Sequence, residues 1–176
     1  MSSFNVVQII PSLVSGGAER GTIDVSNYLS ELEINNNIMS NGGKLLNEID
    51  KNFTNHFKIE VDSKNFIKYP FIATKISKLF SKHNINIAHI RSRGPAWILR
   101  FADTKNIKTI STFHNVYSGT SILKKIYNKQ LANVDRIVAI SDYVKNEIIN
   151  KYNIDNQKVE VINRGVDVDY YDRKLS

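Results

Sequence analysis

Residues 9–20 read IIPSLVSGGAER. An apolar run breaks at Pro11, a short loop follows, Gly16 and Gly17 stand side by side, and then come Glu19 and Arg20. This is the pattern of a buried strand turning into a helix. Glycine lets the backbone take positive φ and lets a ligand come close. The helix start behind it presents unpaired N–H groups and the positive end of the helix dipole, which favour an anion. A tight turn that holds no ligand uses the same residues, so the loop alone leaves both readings open.

Outward from this stretch, short β-branched runs alternate with amphipathic segments. FNVVQII (4–10) predicts a buried strand, and residues 18–32 a helix with Ile23, Leu29 and Leu32 on its apolar stripe. NIMS (37–40) is a short strand closed by the turn signal NGG, residues 43–52 a short helix, and HFKIEVD (56–62) an alternating strand. Residues 70–83 carry Phe71, Ile72, Ile76, Leu79 and Phe80 at helical spacing. NIAHIRS (86–92) is a strand, Gly94-Pro95 opens a helix to about residue 104, and IKTISTF (107–113) is a strand. A basic helix (121–133), a strand (134–140), a helix capped by Ser141 or Asp142 to about residue 152, and a last strand (158–163) complete the series. Strands alternating with helices predict an α/β, Rossmann-like, doubly wound and mostly parallel sheet with helices on both faces. In such a sheet ligands sit beyond the carboxyl ends of the strands.

At 176 residues the chain is one domain, 1–176, with enough length to bury a core. It has no cysteine, which excludes disulfides and thiolate metal sites and fits a reducing compartment. MSSFNVVQIIPS has no basic n-region or cleavage site, and no apolar run spans a bilayer. The net charge of +7 favours anionic partners. Aromatic and basic residues are not interleaved as in single-strand binders, so nucleic acid is not expected.

Three further loops carry polar groups at predicted strand ends. Arg91-Ser92-Arg93 precedes a helix, and guanidinium pairs well with phosphate or carboxylate. Solvated surface charge is the competing reading. His114 follows Thr112-Phe113 and could hydrogen-bond a substrate or move a proton, although a lone histidine is usually structural. His56, His83 and His89 add no metal-ligand spacing, so no metal site is expected. Arg164-Gly165-Val166-Asp167 is a charged turn after the last strand. The G-x-G-x-x-G fingerprint and the P-loop are both absent, which argues against a dinucleotide enzyme or a nucleoside triphosphatase.

Taken together, IPSLVSGGAER (10–20), RSRGPAW (91–97), TFHNVYSG (112–119), DRIVAISDYVKNEI (135–148) and VEVINRGVDVDYYD (159–172) resemble the N-terminal half of family-four retaining glycosyltransferases of the GT-B fold. The resemblance runs from Asn5 to Asp172. It implies a two-domain enzyme that moves a sugar from a nucleotide diphosphate sugar to a glycan or lipid-linked acceptor, as in lipopolysaccharide or cell-envelope glycan synthesis. It implies Gly16, Gly17 and Arg164 near the donor phosphates and His114 at the transferred sugar. Arg91, Arg93 and Glu19 are acceptor-side candidates by charge and position. No cofactor or metal is implied. The family's E-x7-E motif and donor-phosphate clamp belong to a C-terminal half that these residues do not include. The chain is therefore expected to be inactive alone, as a fragment or as the product of a truncated or split gene whose other half is a separate chain. The alternative is a non-catalytic binding or assembly module. The expected location is cytoplasmic, with peripheral contact at the inner face of the plasma membrane through lysines 75, 78, 82, 124, 125 and 129.

Overall fold

A computed structural model describes residues 4–119 and 121–165. Its sheet has seven strands: β1 (Val6–Ile9), β2 (Asn36–Ser40), β3 (Thr54–Lys58), β4 (Ile87–Ile90), β5 (Lys108–Phe113), β6 (Arg136–Ala139) and β7 (Val159–Val161). The order is β3-β2-β1-β4-β5-β6-β7, and every neighbouring pair is parallel. The helices are α1 (Gly17–Glu31), α2 (Tyr69–Lys82), α3 (Arg93–Leu99), α4 (Ile122–Lys129) and α5 (Asp142–Tyr152). The doubly wound fold expected from the sequence is present, and the sheet is parallel throughout. The chain passes from β1 to β2 on one side and later returns to β4 on the other. Adjoining β1 and β4 therefore make a switch point.

The two faces are covered differently. Val7, Ile9, Ile90, Phe113, Ile137 and Ala139 pack with side chains of α2, α3 and α5 in the larger core. On α2 the buried face is Tyr69, Ile72, Ala73, Ile76 and Phe80; of the residues at predicted helical spacing, Leu79 is half-buried and Phe71 is 70% exposed. Alternation along each strand sends the intervening residues to the other face. There α1 and a 3-10 turn at Lys44–Glu48 cover a smaller core with Ile10, Leu13, Ile23, Ile38, Leu45 and Ile49.

Helix α1 meets the sheet mainly through small polar side chains rather than the predicted apolar stripe. Thr22, Ile23, Ser26 and Ser30 are its buried residues, while Leu29 is half-buried and Leu32 is exposed. Ser26 Oγ donates to Asn36 Oδ1 at 2.7 Å, and Thr54 Oγ1 lies 3.0 Å from the hydroxyls of both Ser26 and Ser30. Gln8 Nε2 donates to the Thr22 carbonyl at 3.0 Å. Hydrogen bonds among small groups let the helix sit where leucines would hold it away.

Several boundaries move from their predicted places. The segment 43–52 forms only a five-residue 3-10 turn, and β3 begins and ends earlier than HFKIEVD suggests. Helix α3 stops at Leu99, and α4 gives way to a 3-10 turn at Gln130–Ala132. Ser141 is the cap of α5, its Oγ accepting from the Val144 N–H at 3.2 Å. The turn through Arg164-Gly165 is described, whereas Val166 and Asp167 lie outside the described residues.

Over β5–β7 the α1 side of the sheet is open among the described residues. Ile110, Val138 and Ile140 there are half-buried, and Ile162 is 55% exposed.

The buried network under α1 is testable. Asn36→Ala removes the acceptor of the Ser26 hydroxyl and leaves buried hydroxyls short of partners. It should lower unfolding stability by about 1–3 kcal/mol, read from the urea midpoint at pH 7. An unchanged midpoint would show that packing alone seats the helix.

Candidate functional site

The turn from β1 into α1 uses its two glycines differently. Gly16 is the N-cap of α1 at φ 118, ψ 165, a region that a side chain would strain, and no side chain caps the helix. Gly17 does not need positive φ. It is needed for room: Arg164 Nη2 donates to the Gly17 carbonyl, and a β-carbon on Gly17 would collide with the guanidinium. One turn further on, a β-carbon on Gly21 would lie 2.7 Å from Arg164 Nη2 and 3.8 Å from Arg91 Nη1. Gly17 and Gly21 thus make a smooth strip along which two guanidinium groups approach the helix backbone.

Arg91 follows β4 and is only 5% exposed. Its Nε has no hydrogen-bond partner among the described residues. Burial pulls its pKa down to about 10; the nearby Arg164 pulls the same way, and Asp24 opposes them. It therefore stays a cation at neutral pH. His114, at the end of β5, has both ring nitrogens buried and without partners among the described residues. Burial, then Arg91 and Arg164, push its pKa down to about 4. At pH 7 it is a neutral imidazole, able to donate from one nitrogen and accept at the other. Below it, His89 Nε2 and Thr112 Oγ1 are 2.7 Å apart. His89 is also held neutral, by burial first and then by Arg91 and His114.

These groups surround a cavity of about 250 Å3 between α1 and the sheet. Gly21, Asp24 and Val25 of α1 form one wall, and Val138, Ile140 and Ile162 the apolar side. Of the residues singled out from sequence, Arg91, His114 and Arg164 line it. Gly16 and Gly17 stand beside it through Arg164. Glu19 folds back on its own helix start, its Oε2 2.8 Å from where a Gly16 β-carbon would be, a position the helix dipole favours. Arg93 is engaged elsewhere: its guanidinium lies 3.9 Å over the Tyr117 ring and donates to Asn128 Oδ1 at 2.7 Å.

Sequence reading missed Gly21, Asp24, His89 and Thr112 as parts of this cavity. Two signals were available. Gly17 and Gly21 are spaced one helical turn apart, and strand alternation puts His89 on the same face as Arg91, and Thr112 on that of His114.

The all-parallel sheet, with cationic and imidazole groups gathered at its strand ends, has the Rossmann-like fold of GT-B glycosyltransferase N-terminal domains. The family model for Glycosyltransferase Family 4 matches residues 15–170, and the chain belongs to that family. A glycosyltransferase from Rickettsia africae ESF-5 is 39% identical, with a TM-score of 0.83 over 100% of this chain and 47% of that one. Anabaena Alr3699/HepE, in complex with UDP and glucose, shares the fold at 14% identity and a TM-score of 0.72, over 96% of this chain and 46% of its own. The lipopolysaccharide outer core galactosyltransferase WaaB shares it at 16% identity and a TM-score of 0.61, over 94% of this chain and 47% of its own. The chain thus spans about half the length of these structures. No curated protein matches the sequence.

The electrostatics of the cavity give a direct test. Folding favours neutral His114, so its contribution to stability is complete above the ordinary pKa of 6.5 and is lost as pH falls toward about 4. An NMR titration of the His114 ring should show a midpoint near 4. In Arg91→Met the midpoint should rise, yet stay below 6.5 because burial persists. A wild-type midpoint at 6.5 would contradict the buried geometry.

Proposed function

We propose that this chain is the acceptor-side half of a retaining glycosyltransferase acting on a nucleotide diphosphate sugar. The observation that carries the proposal is the meeting of Gly16 and Gly17, Arg164 and neutral His114 at the carboxyl ends of β1, β5 and β7, in a chain of this family. The helix start, which no side-chain hydrogen bond caps, and the Arg164 guanidinium suit the donor phosphates. His114, uncharged and with both nitrogens open, suits hydroxyls of the transferred sugar. Arg91 takes the acceptor side, with Glu19 at the rim, and Arg93 supports the loop through Tyr117 and Asn128.

The reaction then breaks the bond from the anomeric carbon to the leaving diphosphate. A bond from the acceptor oxygen forms on the same face, and the hydroxyl proton passes to the departing phosphate. Catalysis of this kind is positioning and charge stabilisation. A donor-binding C-terminal half supplies most of the phosphate clamp. The HepE complexes with UDP and glucose and with UDP-glucose support a uridine diphosphate sugar as donor, and WaaB supports a role in lipopolysaccharide or related envelope glycan synthesis.

The purified 176-residue chain should transfer little or no sugar from UDP-glucose or UDP-galactose to bacterial glycan acceptors. Addition of the C-terminal half of the Rickettsia africae relative should restore transfer. In that assembled enzyme Gly17→Val should cost more than about tenfold in rate, because the branched side chain displaces Arg164, while far-UV circular dichroism stays unchanged. Robust turnover by the chain alone would overturn the half-site reading. Failure of every assembled form would favour the binding module.

We also propose peripheral membrane contact through α4. No helix among the described residues is long and apolar enough to cross a membrane. On α2 the apolar face is largely spent on the core, but on α4 Ile122, Leu123 and Ile126 are exposed beside Lys124, Lys125 and Lys129. The chain should sediment with anionic vesicles and wash off at 1 M salt, where the screening length is about 3 Å. Lys124→Glu with Lys125→Glu should abolish the binding. Equal sedimentation with neutral vesicles would count against it.

A further inference from the structure

The inner cavity holds more positive charge than the fold needs. Arg91 and Arg164 are opposed there by Asp24 alone among the carboxylates that line it, and His89 and His114 are neutral. Arg91 is more than nine-tenths buried, with its Nε unpartnered among the described residues, and both nitrogens of His114 are equally unused. A buried cation with an unmade hydrogen bond lowers stability, and structures keep such groups where a ligand completes them.

The cavity runs inward from the donor-phosphate site, and Arg164, which donates to the Gly17 carbonyl, bounds both. Gly16 and Gly17 open α1, whereas Gly21, Asp24 and Val25 beside the cavity lie one to two turns further along. Counted from Gly17, that is about 6–12 Å further along the helix at 1.5 Å per residue. The volume, about 250 Å3, is below the roughly 300–1,000 Å3 of sites that enclose a drug-sized molecule and suits a single ring. Val138, Ile140 and Ile162 offer an apolar wall to the face of such a ring.

We propose that the cavity selects an acidic acceptor: a sugar ring, or a group of similar size, whose carboxylate or phosphate is taken by Arg91. This rests on the acceptor-side reading above and names the substrate class for it. Guanidinium binds either oxyanion through parallel N–H donors, and a site built to make those bonds rejects the neutral analogue.

The test is NMR titration of the 176-residue chain at constant ionic strength with glucuronate, glucose 6-phosphate and glucose, reading the Arg91 Nε–H and the His114 ring. At least one acid should give a saturable shift about tenfold tighter than glucose, and the tighter acid tells carboxylate from phosphate. Arg91→Met should abolish the response without lowering the melting temperature by more than about 3 °C. Arg91→Lys, which keeps the charge and loses the planar fork, should weaken it severalfold and serves if the Met variant does not fold. Equal response to glucose, no response to either acid, or an undiminished response in either Arg91 variant would overturn the proposal. UDP should shift the Gly16 and Gly17 amides in wild type and Arg91→Met alike. Loss of that signal with the acid response intact would sink the donor reading and leave this one standing.

Discussion

The close seat of α1 on the sheet is the contact on which the site depends. It is made by Thr22, Ser26 and Ser30 against Gln8, Asn36 and Thr54, with hydrogen bonds of 2.7–3.0 Å replacing bulky packing. The same helix presents Gly17 and Gly21 on the side toward β4 and β7, where Arg91 and Arg164 come up to its backbone. Larger side chains at either set of positions would move α1 outward. The guanidinium groups would then meet water instead of the helix, and the cavity would lose a wall. Polar groups this buried stabilise the fold only when all are satisfied. The network under α1 is satisfied except at Gln8 Oε1, whereas around Arg91 and His114 the Arg91 Nε and both imidazole nitrogens lack partners among the described residues. That contrast separates scaffold from site within a single helix.

Much of the fold was legible because its strands are buried on a strongly apolar face. VVQI, IAHI and RIVA stand out against polar surroundings, and the turns between them carry Gly, Asn or Pro. α1 was legible as a helix but not in its packing. Leu29 and Leu32 suggested an apolar stripe, yet Leu32 is exposed. Periodicity reports where apolar groups recur, and this interface is made of serine and threonine, which the pattern scores as surface. The shortening of α3 and α4 was equally hidden. Leu99 and Lys129 are followed by residues that could continue a helix, so the pattern marks no end there.

At the site, chemistry was legible by residue type and position was not. Arg91, His114 and Arg164 follow predicted strands, so their meeting follows from the topology. Arg93 is two residues from Arg91 and indistinguishable from it in sequence, yet it is held over Tyr117. The difference arises because Arg91 extends the strand while Arg93 begins α3. Gly16 and Gly17 looked equivalent and do different work, one through its φ of 118 and the other through the space it leaves.

The open face of the sheet and the Arg91 and Arg164 cations belong to the same region. Val138, Ile140 and Ile162 lie on that face and also line the cavity. A parallel sheet is stable with both faces covered, so this surface favours a further layer of protein or ligand. Any such layer removes water from above Arg91 and Arg164. Their attraction for an oxyanion then grows, since charge interactions strengthen as the local dielectric falls. The penalty for leaving them unpaired grows as well. Covering the sheet and binding an anion are therefore coupled: each makes the other more favourable. A site of this kind is weak while open and becomes selective for charge when closed.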